Sequence, residues 1–234
     1  MLRYLDVTYL DDDAANLPML LEAVQACETS PAGFCVFPKA LPQVNSALFG
    51  KEIASITVVN FPAGTSSLVD VLQEIKAAQA LQAQEIDVVI PYSAFLQTHD
   101  EENLIHFVEA VRRAHTGTLK FIVETGAFTD MADVRKIADL LCCSNADFIK
   151  TSTGKINQGA TPEAVTVICQ VIAAHYQQTQ KRVGIKISGG VRHVEQLQSY
   201  LDQIKTLLGE SWLHPDRLRI GASQLFWQLH AHSS

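Results

Sequence analysis

The sequence predicts an α/β chain folded as a single-domain (β/α)8 TIM barrel over residues 1–234, and three features of its pattern predict it. Short β-branched or apolar runs recur eight times, each closing on Gly, Pro, Asn, Ser or Thr residues. Longer segments with apolar residues at three-and-four spacing alternate with them, and no Pro-, Gly- or Ser-rich linker divides the chain. Such alternation implies parallel strands joined by right-handed helical crossovers. Eight units with no leftover domain favour a closed barrel over an open doubly wound sheet.

The first run, Arg3 to Tyr9, alternates apolar and polar residues; the second spans Gly33 to Phe37. The segment from Phe49 to Ile53 is short, so an irregular piece is expected between the second helix and the third run, Ser55 to Phe61. After that run comes SSLVDVLQEIKAAQALQA, the first clearly amphipathic helix pattern. The fourth run, Glu85 to Ile90, leads to DEENLIHFVEAVRRAH, and the fifth, Leu119 to Glu124, to TDMADVRKIADLLCC. The sixth, Asp147 to Ser152, precedes TPEAVTVICQVIAAHYQQ, in which Thr161 is placed as N-cap, Pro162 as first helical residue and Glu163 just inside. Arg182 to Ile187 and Arg217 to Ala222 complete the set.

Composition narrows the function. With 47% hydrophobic and 18% charged residues the chain has the makeup of a foldable domain, not a disordered one. A formal net charge of −7 and no Lys/Arg run leave no basis for capturing nucleic acid or an anionic membrane surface. A small anion remains allowed, because a phosphate is held by a few local donors. Cys27, Cys35, Cys142, Cys143 and Cys169 are an odd set without a C-x-x-C pair, which reads as reduced thiols in a cytoplasmic protein. No apolar run reaches spanning length, and the acidic stretch soon after the start does not resemble a signal peptide. The eight histidines lack H-E-x-x-H spacing, so no metal site is expected.

Period-two counting assigns side chains to the barrel interior. In EIDVVIPY the apolar set Ile86, Val88 and Ile90 suits the helix layer and leaves Asp87 inside. In VGIKISGG, Val183, Ile185 and Ile187 face out, so Lys186 faces in. The weaker partition of DFIKTSTG still puts Lys150 inside; in LRYLDVTYL, Leu5, Val7 and Tyr9 face out, and Asp6 and Thr8 face in. Buried charges are expensive unless they pair or do chemistry. A salt-bridge network that merely fixes the fold accounts for any one of them about as well as a functional role. Two lysines on adjacent strands weaken that account, because like charges require one to be neutralised or its pKa lowered. A lysine desolvated beside a cation is an amine nucleophile, which suggests a Schiff base with a carbonyl substrate.

Loops after the last two strands are the recurrent phosphate site of this architecture. Here they carry Ser188-Gly189-Gly190-Val191-Arg192 and Gly221-Ala222-Ser223, with Gly154-Lys155 after the sixth strand. Cys35 reads as a small inward hydrophobe, since no histidine pairs with it. Asn60 and Glu124 end strands on the same face, where orienting substrate or lysines and merely satisfying the strand end are balanced readings.

The segments LDVTYL, GFCVFP, VVNFPAG, EIDVVIPY, FIVETG, DFIKTSTGK, GIKISGGVR and RIGAS resemble, in order and nearly end to end, the deoxyribose-phosphate aldolase family of class I aldolases. The resemblance implies that Lys150 forms the Schiff base, that Lys186 perturbs it, and that Asp87 belongs to a proton relay. It further implies that Gly154, Lys155, Gly189, Gly190, Val191, Arg192, Gly221 and Ser223 hold the substrate phosphate, and that Asp6, Thr8 and Cys35 line the pocket. The partner would be a small sugar phosphate, with no nucleic acid, membrane or cofactor; a homodimer is allowed but not specified. Three departures stand out: Gln224 in place of a second serine, Ile187-Ser188 in place of Pro-Ala, and an ending QLHAHSS without the terminal tyrosine of some members. Gln224 motivates an alternative, an aldolase for a different sugar. A silent sugar-phosphate-binding barrel is a further alternative, which the lysine pair disfavours.

Overall fold

The computed structural model describes residues 1–231, so His232 to Ser234, where the departure at the chain end falls, lie outside the described residues. Eight parallel strands close into a barrel in chain order: β1 Leu5–Tyr9, β2 Gly33–Val36, β3 Ala54–Val59, β4 Glu85–Val89, β5 Thr118–Ile122, β6 Phe148–Lys150, β7 Gly184–Ser188 and β8 Leu218–Ala222. Every strand lies within two residues of its expected bounds. The helices are α1 Leu17–Gln25, α2 Leu41–Ala47, α3 Leu68–Ala80, α4 Tyr92–Thr98, α5 Glu101–Ala114, α6 Met131–Cys143, α7 Pro162–Thr179, α8 Val194–Leu208 and α9 Gln224–Ala231.

The amphipathic helices start where short polar side chains cap them. Ser67, Asp100, Asp130 and Thr161 each accept a hydrogen bond from a first-turn backbone N–H, and Pro162 opens α7 as expected. The stretch from Leu48 to Ile53 is irregular, as the sequence suggests. One helix was not legible: α4 follows Pro91, and ends when His99 turns left-handed at φ 49°. Seven residues are too few to display helical periodicity.

Apolar packing divides into two regions. The larger lies between barrel and helices and contains Val7, Ile86, Val88, Ile90, Ile185 and Ile187, the residues assigned to the outer side. The smaller, Leu10, Cys35, Ile56 and Val58, fills the barrel interior beside β2 and β3. Most of the remaining interior is charged, because β1, β4, β5, β6, β7 and β8 direct Asp6, Glu85, Asp87, Lys120, Lys150, Lys186 and Arg219 into it, all buried. Among the described residues no helix is long and apolar enough to cross a membrane.

Candidate active site

At the C-terminal ends of β6, β7 and β8 lies a cavity of about 260 Å³, at the small end of the range for ligand sites. Its walls contain Thr8, Lys150, Gly154, Lys155, Gly189, Gly190, Val191, Arg192, Gly221 and Ser223, together with Gln224. The residues that the resemblance groups around a phosphate therefore surround one cavity with Lys150. The other four singled out by sequence sit lower: Asp6, Asp87, Lys186 and Cys35 are fully buried and absent from that lining.

Local backbone explains the cavity's shape. Gly189 and Gly190 have φ of 83° and 88°, the left-handed region that glycine enters without a Cβ clash. The loop after β6 is stitched to β7 through Thr151, whose hydroxyl donates to Ser188 O at 3.1 Å and accepts from Ser188 N at 3.0 Å. Gln196 Oε1 accepts from the backbone N–H groups of Arg192 and His193, at 2.8 and 3.1 Å. The Arg192 amide is therefore already engaged, although the residue lines the cavity. Lys155 reaches across the mouth to donate to Leu10 O at 2.7 Å.

Beneath the cavity, Asp87 is the hub. Its Oδ2 accepts from Lys150 Nζ and Lys186 Nζ, both at 2.8 Å, and its Oδ1 accepts from Lys120 Nζ at 3.0 Å. Lys186 Nζ also lies 2.6 Å from Asp6 Oδ2. Strand register creates this arrangement, since Lys150 neighbours Lys186 across β6 and β7, and Asp87 neighbours Lys120 across β4 and β5. Burial pushes the Asp87 carboxyl up, but the ammoniums of Lys120, Lys150 and Lys186 outweigh it and hold it well below 3.8. Asp6 behaves alike: against burial, Lys186, Arg219 and Lys120 bring it down to about 2.

Lys186 is not pushed down by its like-charged neighbour; burial lowers it, but Asp6 and Asp87 outweigh burial and hold it above 10.5. The carboxylate between the two amines, which the sequence placed inside but not between them, removes the repulsion. Cys35 is a neutral thiol, pushed up by burial to about 11. Asn60 is occupied with structure: its Nδ2 donates to Val89 O at 2.8 Å and its Oδ1 accepts from Ser66 N at 2.9 Å. Glu124 bonds the hydroxyl and N–H of Thr153, and burial pushes its carboxyl above 4.5.

Lys120, Glu85 and Arg219 were missed by the sequence reading. The signal was present: in TLKFI and LRIGA the same period-two partition puts Lys120 and Arg219 inside, and Glu85 is in phase with Asp87 two residues later.

A closed parallel barrel with its polar cavity at the C-terminal end of the strands has the layout of a (β/α)8 enzyme. The family model of the DeoC/LacD family aldolases matches residues 9–211, and this chain belongs to that family. The deoxyribose-phosphate aldolase of Agrobacterium fabrum (strain C58 / ATCC 33970) is 37% identical over 228 residues, covering 95% of this chain and 86% of that protein. A crystal structure from Toxoplasma gondii ME49 superposes with a TM-score of 0.88 at 22% identity, over 100% of this chain and 93% of that one. The tetrameric deoxyribose phosphate aldolase from Aeropyrum pernix gives 0.74 at 22% identity, over 100% and 91%. At that identity these two structures support the fold alone.

Proposed function

We propose that this protein is a deoxyribose-phosphate aldolase that cleaves 2-deoxy-D-ribose 5-phosphate reversibly into D-glyceraldehyde 3-phosphate and acetaldehyde through an imine on Lys150. The observation that carries the reading is the position of Lys150, among the described residues the one buried lysine that both lines the cavity and touches Asp87. A 37% identical relative bearing that activity supports the substrate.

In this mechanism the phosphate occupies the end of the cavity formed by Gly189, Gly190, Ser223 and the Arg192 guanidinium, which positions C1 of the open-chain sugar near Lys150. Neutral Lys150 adds to the C1 carbonyl. Lys186, an ammonium at rest, gives its proton to the departing hydroxyl, so that water leaves and a protonated imine remains. Neutral Lys186 then takes the proton of the C3 hydroxyl. The C2–C3 bond breaks, its electron pair moves into the imine to give the enamine, and C3 becomes the aldehyde of glyceraldehyde 3-phosphate. Lys186 returns the proton to C2, and hydrolysis frees acetaldehyde and restores both amines. Asp87, held ionised well below 3.8, acts by keeping the two amines together through these changes of charge.

The test is borohydride reduction with acetaldehyde present, followed by peptide mass mapping, alongside kinetics on deoxyribose with and without its 5-phosphate. An adduct on Lys150, its loss with activity in Lys150→Ala, and preference for the phosphorylated sugar are expected. An adduct elsewhere, or an active Lys150→Ala, rejects the assignment; equal use of both sugars rejects the phosphate site and favours the different substrate that Gln224 suggests.

A further inference from the structure

The buried charges below the cavity close on themselves. Going round, Asp87 Oδ1 meets Lys120 Nζ at 3.0 Å, and Lys120 pairs with Glu85. Glu85 Oε1 meets Arg219 Nη2 at 2.8 Å, and Arg219 Nη1 meets Asp6 Oδ1 at 2.7 Å. Asp6 Oδ2 meets Lys186 Nζ at 2.6 Å, and Lys186 returns to Asp87 Oδ2 at 2.8 Å. Three carboxylates alternate with three cations, so the ring is electroneutral. Lys150 hangs from Asp87 Oδ2 outside it, a fourth cation for which the ring itself has no carboxylate left over. Phe148 closes the underside, with Lys120 Nζ 5.9 Å and the Arg219 guanidinium 5.6 Å from its ring centre.

We propose that Glu85, Lys120 and Arg219 are positioning residues that complete this neutral ring, so that Lys150 is the amine whose proton the cluster does not need. The inference rests on reading Lys150 as the imine-forming amine. A ring short of one partner would carry net charge, and that charge would decide the pH at which a neutral amine is available. Neither Glu85 nor Arg219 is ion-paired with Lys150, so their effect on it is transmitted through the ring. The other groups near Lys150 leave this balance in place. Cys35 on β2 is a neutral thiol. Glu124, after β5, is a fourth buried carboxylate that feels the Lys150 charge from outside the ring, with its hydrogen bonds made to Thr153. Lys155, in the loop after β6, is committed to Leu10 O at the mouth. All three act equally in every variant below.

Two measurements test this. In the first, cyanoborohydride trapping of acetaldehyde on Lys150 is followed from acid to alkaline pH in the unaltered protein and in Glu85→Gln, Arg219→Gln and Arg219→Lys. Glu85→Gln leaves excess positive charge, which favours the neutral amine, so the acid limb moves to lower pH by about one unit. Arg219→Gln leaves excess negative charge and moves it up by a similar amount, and Arg219→Lys leaves it in place. Limbs that stay fixed, or move the same way in both charge-removing variants, overturn the proposal.

The second measurement, urea unfolding, needs no imine. Lys150→Met is expected to unfold at a midpoint equal to or above that of the unaltered protein, whereas Lys186→Met and Arg219→Gln unfold earlier or fail to fold. If Lys150→Met is destabilised as much as Lys186→Met, Lys150 belongs to the charge balance and the proposal is wrong. Absence of any adduct on Lys150 in the unaltered protein would instead defeat the proposed reaction, and the urea series would still judge the ring.

Discussion

Gly221 shows how much a single residue does here by lacking a side chain. It lies in the cavity wall, in a loop that the family resemblance assigns to a phosphate, but its position on β8 also leaves room for the Lys186 stem. A Cβ at this position would sit 3.1 Å from Lys186 Cε and 3.0 Å from Ser188 Cβ, closer than packed carbons normally approach. Relief must come from the lysine, because Ser188 belongs to the backbone of β7 and is tied to Thr151. Gly221→Ala is therefore expected to move Lys186 off Asp6 and Asp87. A displacement of that kind costs about tenfold to a hundredfold in kcat, with stability lowered by about 1–3 kcal/mol. Steady-state kinetics beside urea unfolding separate the two effects, and an unchanged kcat shows that Lys186 needs no such space.

At the scale of elements, the loops after β6 and β7 are one unit. Ala160 N donates to both Ser188 O and Gly189 O, each at 3.1 Å, and a Cβ on Gly159 would come 2.2 Å from Gly189 O. Backbone rests on backbone, so nothing flexible can yield. Gly159→Ala is expected to displace the Gly189-Gly190 turn and raise KM for deoxyribose 5-phosphate about tenfold, while values for unphosphorylated deoxyribose change little. Equal losses on both sugars would mean that the turn does not serve the phosphate. Gly159 drew no attention in the sequence, because the contact that constrains it lies across two loops. The strands themselves were legible, since β-branched runs with one apolar face declare both their extent and their inward side. Limits appeared where side chains override that pattern: β6 stops at Lys150, not at Ser152, as Thr151 and Thr153 turn to Ser188 and Glu124. The ion pairs around Asp87 depend on register, such as Lys186 beside Arg219, which no single strand encodes.

Taken whole, the molecule carries a formal charge of −7 around an interior that holds Lys120, Lys150, Lys186 and Arg219 against Asp6, Glu85 and Asp87. With Glu124 also buried, four carboxylates face four cations inside, so the net charge of −7 belongs to the exterior. Asp6, at about 2 in the folded chain against 3.8, and Asp87, well below 3.8, are depressed carboxyls. Their stabilisation is present above the unfolded value and is lost as pH falls through the folded one. Lys186 is raised, so its contribution is full up to 10.5 and is lost only as pH rises beyond that. Glu124, raised above 4.5, runs the other way and favours the folded state on the acid side of its titration. Protonating Asp87 takes from Lys150 its one ion-pair partner and from Lys120 and Lys186 one of theirs, so acid loss should be abrupt. The urea midpoint is expected to be level through neutral pH and to collapse between pH 4 and pH 2, the window defined by Asp6. A slope steeper than the roughly 1.4 kcal/mol per pH unit of a single proton would mark the coupled loss. Circular dichroism of urea unfolding at stepped pH reads this directly. A midpoint that declines only gradually through that window, and is no less steep in Asp87→Asn, would mean that the buried carboxylates do not govern acid stability.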